Sequence, residues 1–121
     1  MTLLIVDDSS AFRERLRRHV ADVPYLSVAG ECSNGAEAVA AFDALGPDVV
    51  LLDLEMPEGN GLSVLRHVRP SGVPVIVMTN HASYRVRERC YSFGAHVVID
   101  KLQVSSRLLP VLDELAHRRR R

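Results

Sequence analysis

Five side chains in this 121-residue sequence make chemical sense as a group. Asp7, Asp8 and Asp53 offer carboxylates, Thr79 a hydroxyl and Lys101 an ammonium. Three carboxylates gathered at one edge of a protein repel one another at low dielectric. Each raises its neighbours' pKa unless a cation intervenes. A hard divalent ion with oxygen ligands answers that need, and Mg2+ suits a site with few carboxylates, several retained waters and a phosphate oxygen. A carboxylate is also a nucleophile toward phosphorus and forms an acyl phosphate. Magnesium and a lysine then neutralise charge on the transferring group, and a hydroxyl such as Thr79 donates to a phosphoryl oxygen. The set is complete for phosphoryl transfer to an Asp.

Lysine usage adds to this. Fourteen of the fifteen basic residues are Arg, and Lys101 is the only lysine. A compact ammonium and a guanidinium are not interchangeable where a point charge is needed. Codon bias with one chance lysine gives the same count, so position decides between the two readings.

The elements that must position these groups alternate along the chain. Apolar runs rich in β-branched residues lie at Leu3 to Val6, Leu26 to Ala29, Val49 to Leu52, Val75 to Met78 and Val97 to Ile99. Runs apolar on successive positions predict strands buried on both faces, as in a parallel sheet. Between them, apolar residues recur at helical spacing. The stripes are Phe12, Leu16 and Val20; Ala36, Val39 and Ala40; Leu62, Leu65 and Val68; Ala82, Val86 and Cys90; and Leu108, Leu112 and Leu115. Pro110 is expected near the start of the last helix, where a missing N–H costs least. Gly94 is expected to stop the fourth. Five strands alternating with five helices predict an open parallel α/β sheet covered on both faces.

Ligands of such sheets bind beyond the carboxyl ends of the strands. Strand one ends in Asp7-Asp8, strand two in Gly30-Glu31, strand three in Asp53, strand four in Thr79 and strand five near Asp100-Lys101. Four of the five ends therefore deliver capable groups to one edge. Taken alone, Asp7-Asp8 reads as a solvated turn and Thr79 as a helix cap. Their matching places at strand ends tie them to Asp53 and Lys101.

Composition is consistent with one domain that folds without a disulfide or a structural metal. Formal charge is zero, but four of the arginines are Arg118 to Arg121. Without them the body holds 11 basic against 15 acidic residues, so it is mildly acidic with a basic end. That balance does not suit a nucleic-acid-binding domain. The end run reads as solvated charge that suits a helix C-terminus, or more sharply as a contact for an acidic partner surface or nucleic acid. Cys32 and Cys90 stand in no metal-ligand spacing and read as buried, reduced thiols of a cytosolic protein. No apolar run reaches transmembrane length, and the first residues do not read as a signal peptide. His19, His67, His96 and His117 are expected on polar faces, solvated. Gly59-Asn60-Gly61 is not a dinucleotide fingerprint, because Val64 stands where the third glycine would be.

In this order the pieces resemble the receiver domain of bacterial two-component response regulators. The matching stretches are Leu4-Ile5-Val6-Asp7-Asp8, Pro47 through Pro57 around Asp53, Gly59-Asn60-Gly61-Leu62, Pro74 through Thr79, Gly94-Ala95 and Asp100-Lys101. The resemblance covers essentially the whole chain and extends to Val28-Ala29-Gly30-Glu31 and Asn34-Gly35, which look like receivers that often carry a DNA-binding output domain. It implies a flavodoxin-like, doubly wound sheet of order 2-1-3-4-5. The receiver would span residues 1–117, with a basic tail over 118–121. Asp53 is the implied phosphoacceptor. Asp8 is implied to bind Mg2+ directly and Asp7 through water, with Asp53 and the backbone carbonyl of Glu55 as further ligands. Thr79 is implied to contact the phosphoryl group and move on activation, and Lys101 to pair with the phosphoryl oxygens. A histidine kinase or histidine phosphotransfer protein is the implied donor. An output protein would read the surface of the fourth helix, fifth strand and fifth helix. The implied state is a cytoplasmic monomer or phosphorylation-dependent dimer, with no membrane partner and no nucleic-acid partner expected without an output domain.

Three positions depart from the family pattern. Val98 stands where Tyr or Phe usually serves as a rotameric switch, Asn80 where a small residue usually follows the Thr, and Leu102 where a proline often follows the lysine. Activation is therefore expected to work through Thr79, with Tyr84 or Tyr91 in place of the missing aromatic. Two other functions compete. A degenerate receiver would act only as a scaffold. An Asp-nucleophile phosphohydrolase would use Glu55, two residues after Asp53, as acid and base. The leading expectation is a module that assists its own phosphorylation and dephosphorylation without acting on separate substrates.

Overall fold

The computed structural model describes residues 1–56 and 61–119. The elements are β1 (Thr2–Val6), α1 (Ser10–Val20), β2 (Ser27–Cys32), α2 (Gly35–Leu45), β3 (Val49–Asp53), α3 (Gly61–Val68), β4 (Val75–Thr79), α4 (Tyr84–Ser92), β5 (Val97–Asp100) and α5 (Val104–Arg119). Short 3₁₀ turns follow α3 (Arg69–Ser71) and β5 (Lys101–Gln103). The strands form one parallel sheet in the order β2-β1-β3-β4-β5.

Successive side chains of a strand point to opposite faces, and each face has its own layer of helices. Leu4, Val6, Val50, Leu52, Val75, Val77 and Val98 pack with Ala38 and Phe42 of α2, Val64, Leu65 and Val68 of α3, and Cys90 of α4. Leu3, Ile5, Leu51, Ile76, Met78 and Ile99 pack with Leu16 and Val20 of α1 and with Leu108, Leu112 and Leu115 of α5. This explains the continuous apolar runs: β1, β3 and β4 are sandwiched and have no solvent face.

Several local expectations need correction. Strand β2 runs on to Cys32, and its residues Ser27 to Glu31 are only partly covered, because it is the edge of the sheet. The buried stripe of α2 is Gly35, Ala38 and Phe42; Ala36 and Ala40 face solvent. Alanine is indifferent to its side of a helix, so an alanine-rich stripe fixes the face poorly. Ala82 precedes α4, whose N-cap is Ser83. Pro110 is the seventh residue of α5, not near its start. The carbonyl it leaves without an N–H partner, that of Ser106, belongs to an exposed residue that water can reach. The Nε2 atom of His19 is buried and, among the described residues, has no hydrogen-bond partner, so that ring is not fully solvated. Most of the expected Pro57 to Gly61 loop, and Arg120 and Arg121 of the basic tail, lie outside the described residues. Arg118 and Arg119 belong to α5 and pair with Glu114 and Asp48, each at 2.8 Å.

Geometry requires glycine at Gly94 and at Gly61, among other positions. Gly94 follows α4 with φ +101, a backbone region closed to most side chains. A Cβ on Gly61 would lie 2.6 Å from the Leu54 carbonyl oxygen, so only glycine lets α3 begin hard against the segment after Asp53. Cys32 and Cys90 are free and buried. Burial pushes both thiols above the usual range. Among the described residues no helix is long and apolar enough to cross a membrane.

Candidate functional site

Among the described residues, the fully buried polar side chains are Asp7, Asp53 and Thr79, and all three sit at the carboxyl edge of the sheet. The register accounts for this. Val6 lies opposite Leu52, so Asp7, next after β1, falls beside Asp53, the last residue of β3. Asp53 lies opposite Met78, which places Thr79 one residue further along β4. Thr79 in turn lies opposite Asp100, so Lys101 follows directly.

Lysine 101 reaches back over the edge. Its Nζ donates to Asp7 Oδ2 at 2.9 Å and lies 3.5 Å from Asp53 Oδ1. Asp7 Oδ1 accepts from the Ser9 backbone N–H at 2.8 Å, and the Glu55 N–H donates to Asp53 Oδ1 at 3.0 Å. The exposed Asp8 completes the acid set. Carboxylate oxygens of Asp7, Asp8 and Asp53 all lie within 4.8 Å of one another. Hard oxygen donors at that separation fit one small divalent cation.

Electrostatics at Asp53 follow from burial. Loss of solvation, then the Asp7 charge, push its carboxyl up to about 7, with Lys101 acting in the opposite direction. Burial alone would lower the Lys101 ammonium. The hydrogen bond to Asp7 and the nearby Asp53 charge outweigh that and raise it.

The structure brings the expected side chains of Asp7, Asp8, Asp53, Thr79 and Lys101 to one edge, and it adds contacts that no spacing pattern announces. The Thr79 hydroxyl donates to Glu55 Oε1, and the Asn80 N–H donates to Glu55 Oε2 at 3.3 Å. Thr79 Oγ1 accepts from the His81 N–H at 3.0 Å and does not cap α4. The Arg13 guanidinium donates to the Asp7 carbonyl at 2.6 Å. The Phe12 ring lies under the Lys101 ammonium, 4.4 Å from ring centre to Nζ. Phe12 belongs to an apolar helix stripe and so reads as core, which is why no spacing rule singles it out.

Comparison with known proteins places this arrangement. The family model "Response regulator receiver domain" matches residues 3–113. The chain belongs to this family. A protein-glutamate methylesterase/protein-glutamine glutaminase of Carboxydothermus hydrogenoformans is 44% identical over 102 residues, covering 84% of this chain and 27% of that protein. One from Koribacter versatilis is 37% identical over 109 residues, covering 88% and 30%. The receiver thus spans less than a third of these two curated relatives. Against solved structures, the response regulator domain of Thermotoga maritima CheB superposes with a TM-score of 0.86 at 27% identity, covering 95% of both chains. The signal receiver domain of the putative response regulator NarL from Mycobacterium tuberculosis gives 0.85 at 28%, again covering 95% of each. The flavodoxin-like sheet order expected from the sequence is the one present.

Proposed function

We propose that Asp53 accepts a phosphoryl group from a histidine kinase or histidine phosphotransfer protein, and that the change at the site alters the α4–β5–α5 surface for an output partner. The observation that carries this reading is the convergence of one buried acid, Asp53, with a lysine at 3.5 Å and two further carboxylates within 4.8 Å. In the reaction a carboxylate oxygen of Asp53 forms a bond to phosphorus as the donor nitrogen's bond to phosphorus breaks, and the nitrogen keeps the electron pair. The nucleophile must be ionised, and Asp53 alone holds its proton up to about pH 7. Asp8 directly, Asp7 through water, Asp53 and the backbone carbonyl of Glu55 would hold Mg2+. When bound, the ion supplies positive charge that favours the ionised nucleophile and offsets charge on the transferring group. Lys101 supplies a fixed positive charge beside the same oxygens. The domain acts on its own aspartate and has no separate substrate.

Thr79 is the natural donor to a phosphoryl oxygen, but its hydroxyl is engaged by Glu55. Glu55 therefore holds both nearby donors, the Thr79 hydroxyl and the Asn80 N–H, and places negative charge where an incoming phosphoryl group must sit. Glu55→Ala is expected to speed phosphoryl uptake from acetyl phosphate several-fold, by removal of one nearby like charge. An unchanged time course would remove Glu55 from the account.

For the output step, two α4 side chains grip the outer edge of β5. The Val98 N–H donates to the Tyr91 hydroxyl at 3.1 Å, and Arg87 Nη1 donates to the Val98 carbonyl at 2.7 Å. Tyr84, by contrast, is 79% exposed. This favours Tyr91 as the aromatic that couples Thr79 movement to the surface. The test of the acceptor reading is intact mass after incubation with acetyl phosphate and Mg2+. One added phosphoryl group is expected, absent in Asp53→Asn. No adduct on the wild type would favour a scaffold instead.

A further inference from the structure

We infer that Phe12 is a positioning residue for Lys101, its ring keeping the ammonium beside Asp53 while the neighbouring carboxylates change charge and partners. The inference rests on the phosphoryl-acceptor reading above. The ring centre lies 4.4 Å from Lys101 Nζ, well inside the ~6 Å over which a cation is drawn to an aromatic face. The lysine side chain is only 13% exposed, so the contact is partly desolvated and correspondingly stronger.

Among the described residues, the ammonium's contacts include Asp7 Oδ2, Asp53 Oδ1 and this ring. Phosphorylation changes the first two. Once Asp53 is an acyl phosphate, its carboxylate charge has moved outward onto the phosphoryl oxygens. Asp7 is a candidate metal ligand, so its oxygens are shared with a competing cation. The ring is neutral, does not titrate and does not bind Mg2+. Its attraction for the ammonium is the same before and after the chemistry.

The backbone that carries the ring is also tied to the site. Ser9 caps α1, its hydroxyl accepting from the Phe12 N–H at 3.2 Å. The Ser9 N–H donates to Asp7 Oδ1 at 2.8 Å, and Arg13 grips the Asp7 carbonyl at 2.6 Å. The first turn of α1 is therefore tied to Asp7, and Phe12 arrives beside Lys101 in fixed register with the acid. Packing alone accounts for an apolar residue here, because Phe12 borders the α1–α5 core layer. It does not account for a ring against an ammonium, since a leucine would border that layer equally well. The exposed Arg15 guanidinium also approaches the ring, at 5.7 Å, but it lies outside the acid cluster.

Because Lys101 is the only lysine, reductive methylation with labelled formaldehyde gives one lysine side-chain resonance besides the N-terminus. In the full chain, that resonance is expected to be displaced upfield by the Phe12 ring current. The displacement is expected to persist on addition of Mg2+ and beryllium fluoride and to vanish in Phe12→Leu. The maximal rate of phosphoryl uptake from acetyl phosphate at saturating Mg2+ is expected to fall about tenfold in Phe12→Leu, the scale of a partly desolvated cation–aromatic contact. Phe12→Tyr, which keeps the ring, should restore it, with the half-saturating donor concentration little changed throughout. A folded Phe12→Leu protein with the wild-type rate, or a ring-current displacement lost on loading, would overturn the proposal. If Phe12→Leu does not fold, the loaded and unloaded wild-type spectra decide. A wild type that takes up no phosphoryl group overturns the acceptor reading itself. Normal uptake by the wild type with an unaltered Phe12→Leu rate overturns only the role of the ring.

Discussion

Lys101→Met is expected to slow phosphoryl uptake by roughly two orders of magnitude, the scale found when one preorganised charge-stabilising donor is removed from a site. The same change should destabilise the metal-free protein by about 3 kcal/mol above pH 7, since taking one partner from a buried ion pair leaves an uncompensated charge. Methionine matches the length of the lysine stem but leaves the oxygens of Asp7 and Asp53, both buried, with no nearby ammonium. Part of that loss is avoidable: at lower pH Asp53 takes up a proton, and one of the two charges disappears. The deficit of Lys101→Met should therefore shrink between pH 8 and pH 5. Urea unfolding in chelator at both values, with a time course of intact mass, checks the two halves of the expectation. Equal deficits at the two pH values would show that the lysine stem, not its charge, matters to stability.

Asp53→Asn should abolish phosphoryl uptake and yet make the metal-free protein more stable at neutral pH. The folded carboxyl is raised to about 7 by burial and then by Asp7, whereas the ordinary value is 3.8. Between those values the unfolded chain has released a proton that the folded chain still holds. Stability from Asp53 is therefore fully present below pH 3.8 and is lost as pH rises through about 7. Each unit of difference is worth about 1.4 kcal/mol, so the loss is on the order of a few kcal/mol. Asparagine cannot titrate. In chelator the variant should match or trail the wild type near pH 4 and exceed it at pH 8. Added Mg2+ should narrow the gap, because ligand that binds only the folded state stabilises it by mass action. Parallel unfolding curves across that pH range would mean that Asp53 ionises without penalty.

The fold was readable because the sheet has no solvent face in its interior strands. Leu3 to Val6, Val49 to Leu52 and Val75 to Met78 are apolar at every position, a pattern that only a doubly covered parallel sheet requires. Strand register then carries Asp7, Asp53, Thr79 and Lys101 to one edge, so their grouping was legible as well. Where coverage is thinner the sequence said less. The edge strand β2 mixes exposed Ser27, Ala29 and Glu31 with covered positions, and its end was misplaced. The alanines of α2 could not report which side faces the core. A missing N–H alone places Pro110 at a helix start, yet the exposure of Ser106, whose carbonyl loses its partner, makes an interior place tolerable.

Contacts made by side-chain reach were the least legible part of the site. Glu55, two residues past Asp53, stands out in the sequence only for its backbone carbonyl or as an acid and base, and nothing in its spacing shows that it takes the Thr79 hydroxyl. Phe12 reads as core for the reason that hides most aromatic contacts: burial and recognition use the same residue. From the sequence Val98 reads as a weakened switch because it carries no ring. The structure shows its backbone, not its side chain, engaged by Arg87 and Tyr91.

One carboxylate, that of Asp53, is expected to receive the phosphoryl group. Treatment of the acetyl phosphate-loaded protein with borohydride reduces an acyl phosphate of aspartate to homoserine, and peptide mapping then locates it. Homoserine at position 53 and at no other acid is the result expected here. Homoserine at position 7 or 8, or hydroxynorvaline (the reduction product of a glutamyl phosphate) at position 55, with residue 53 unchanged, would contradict it.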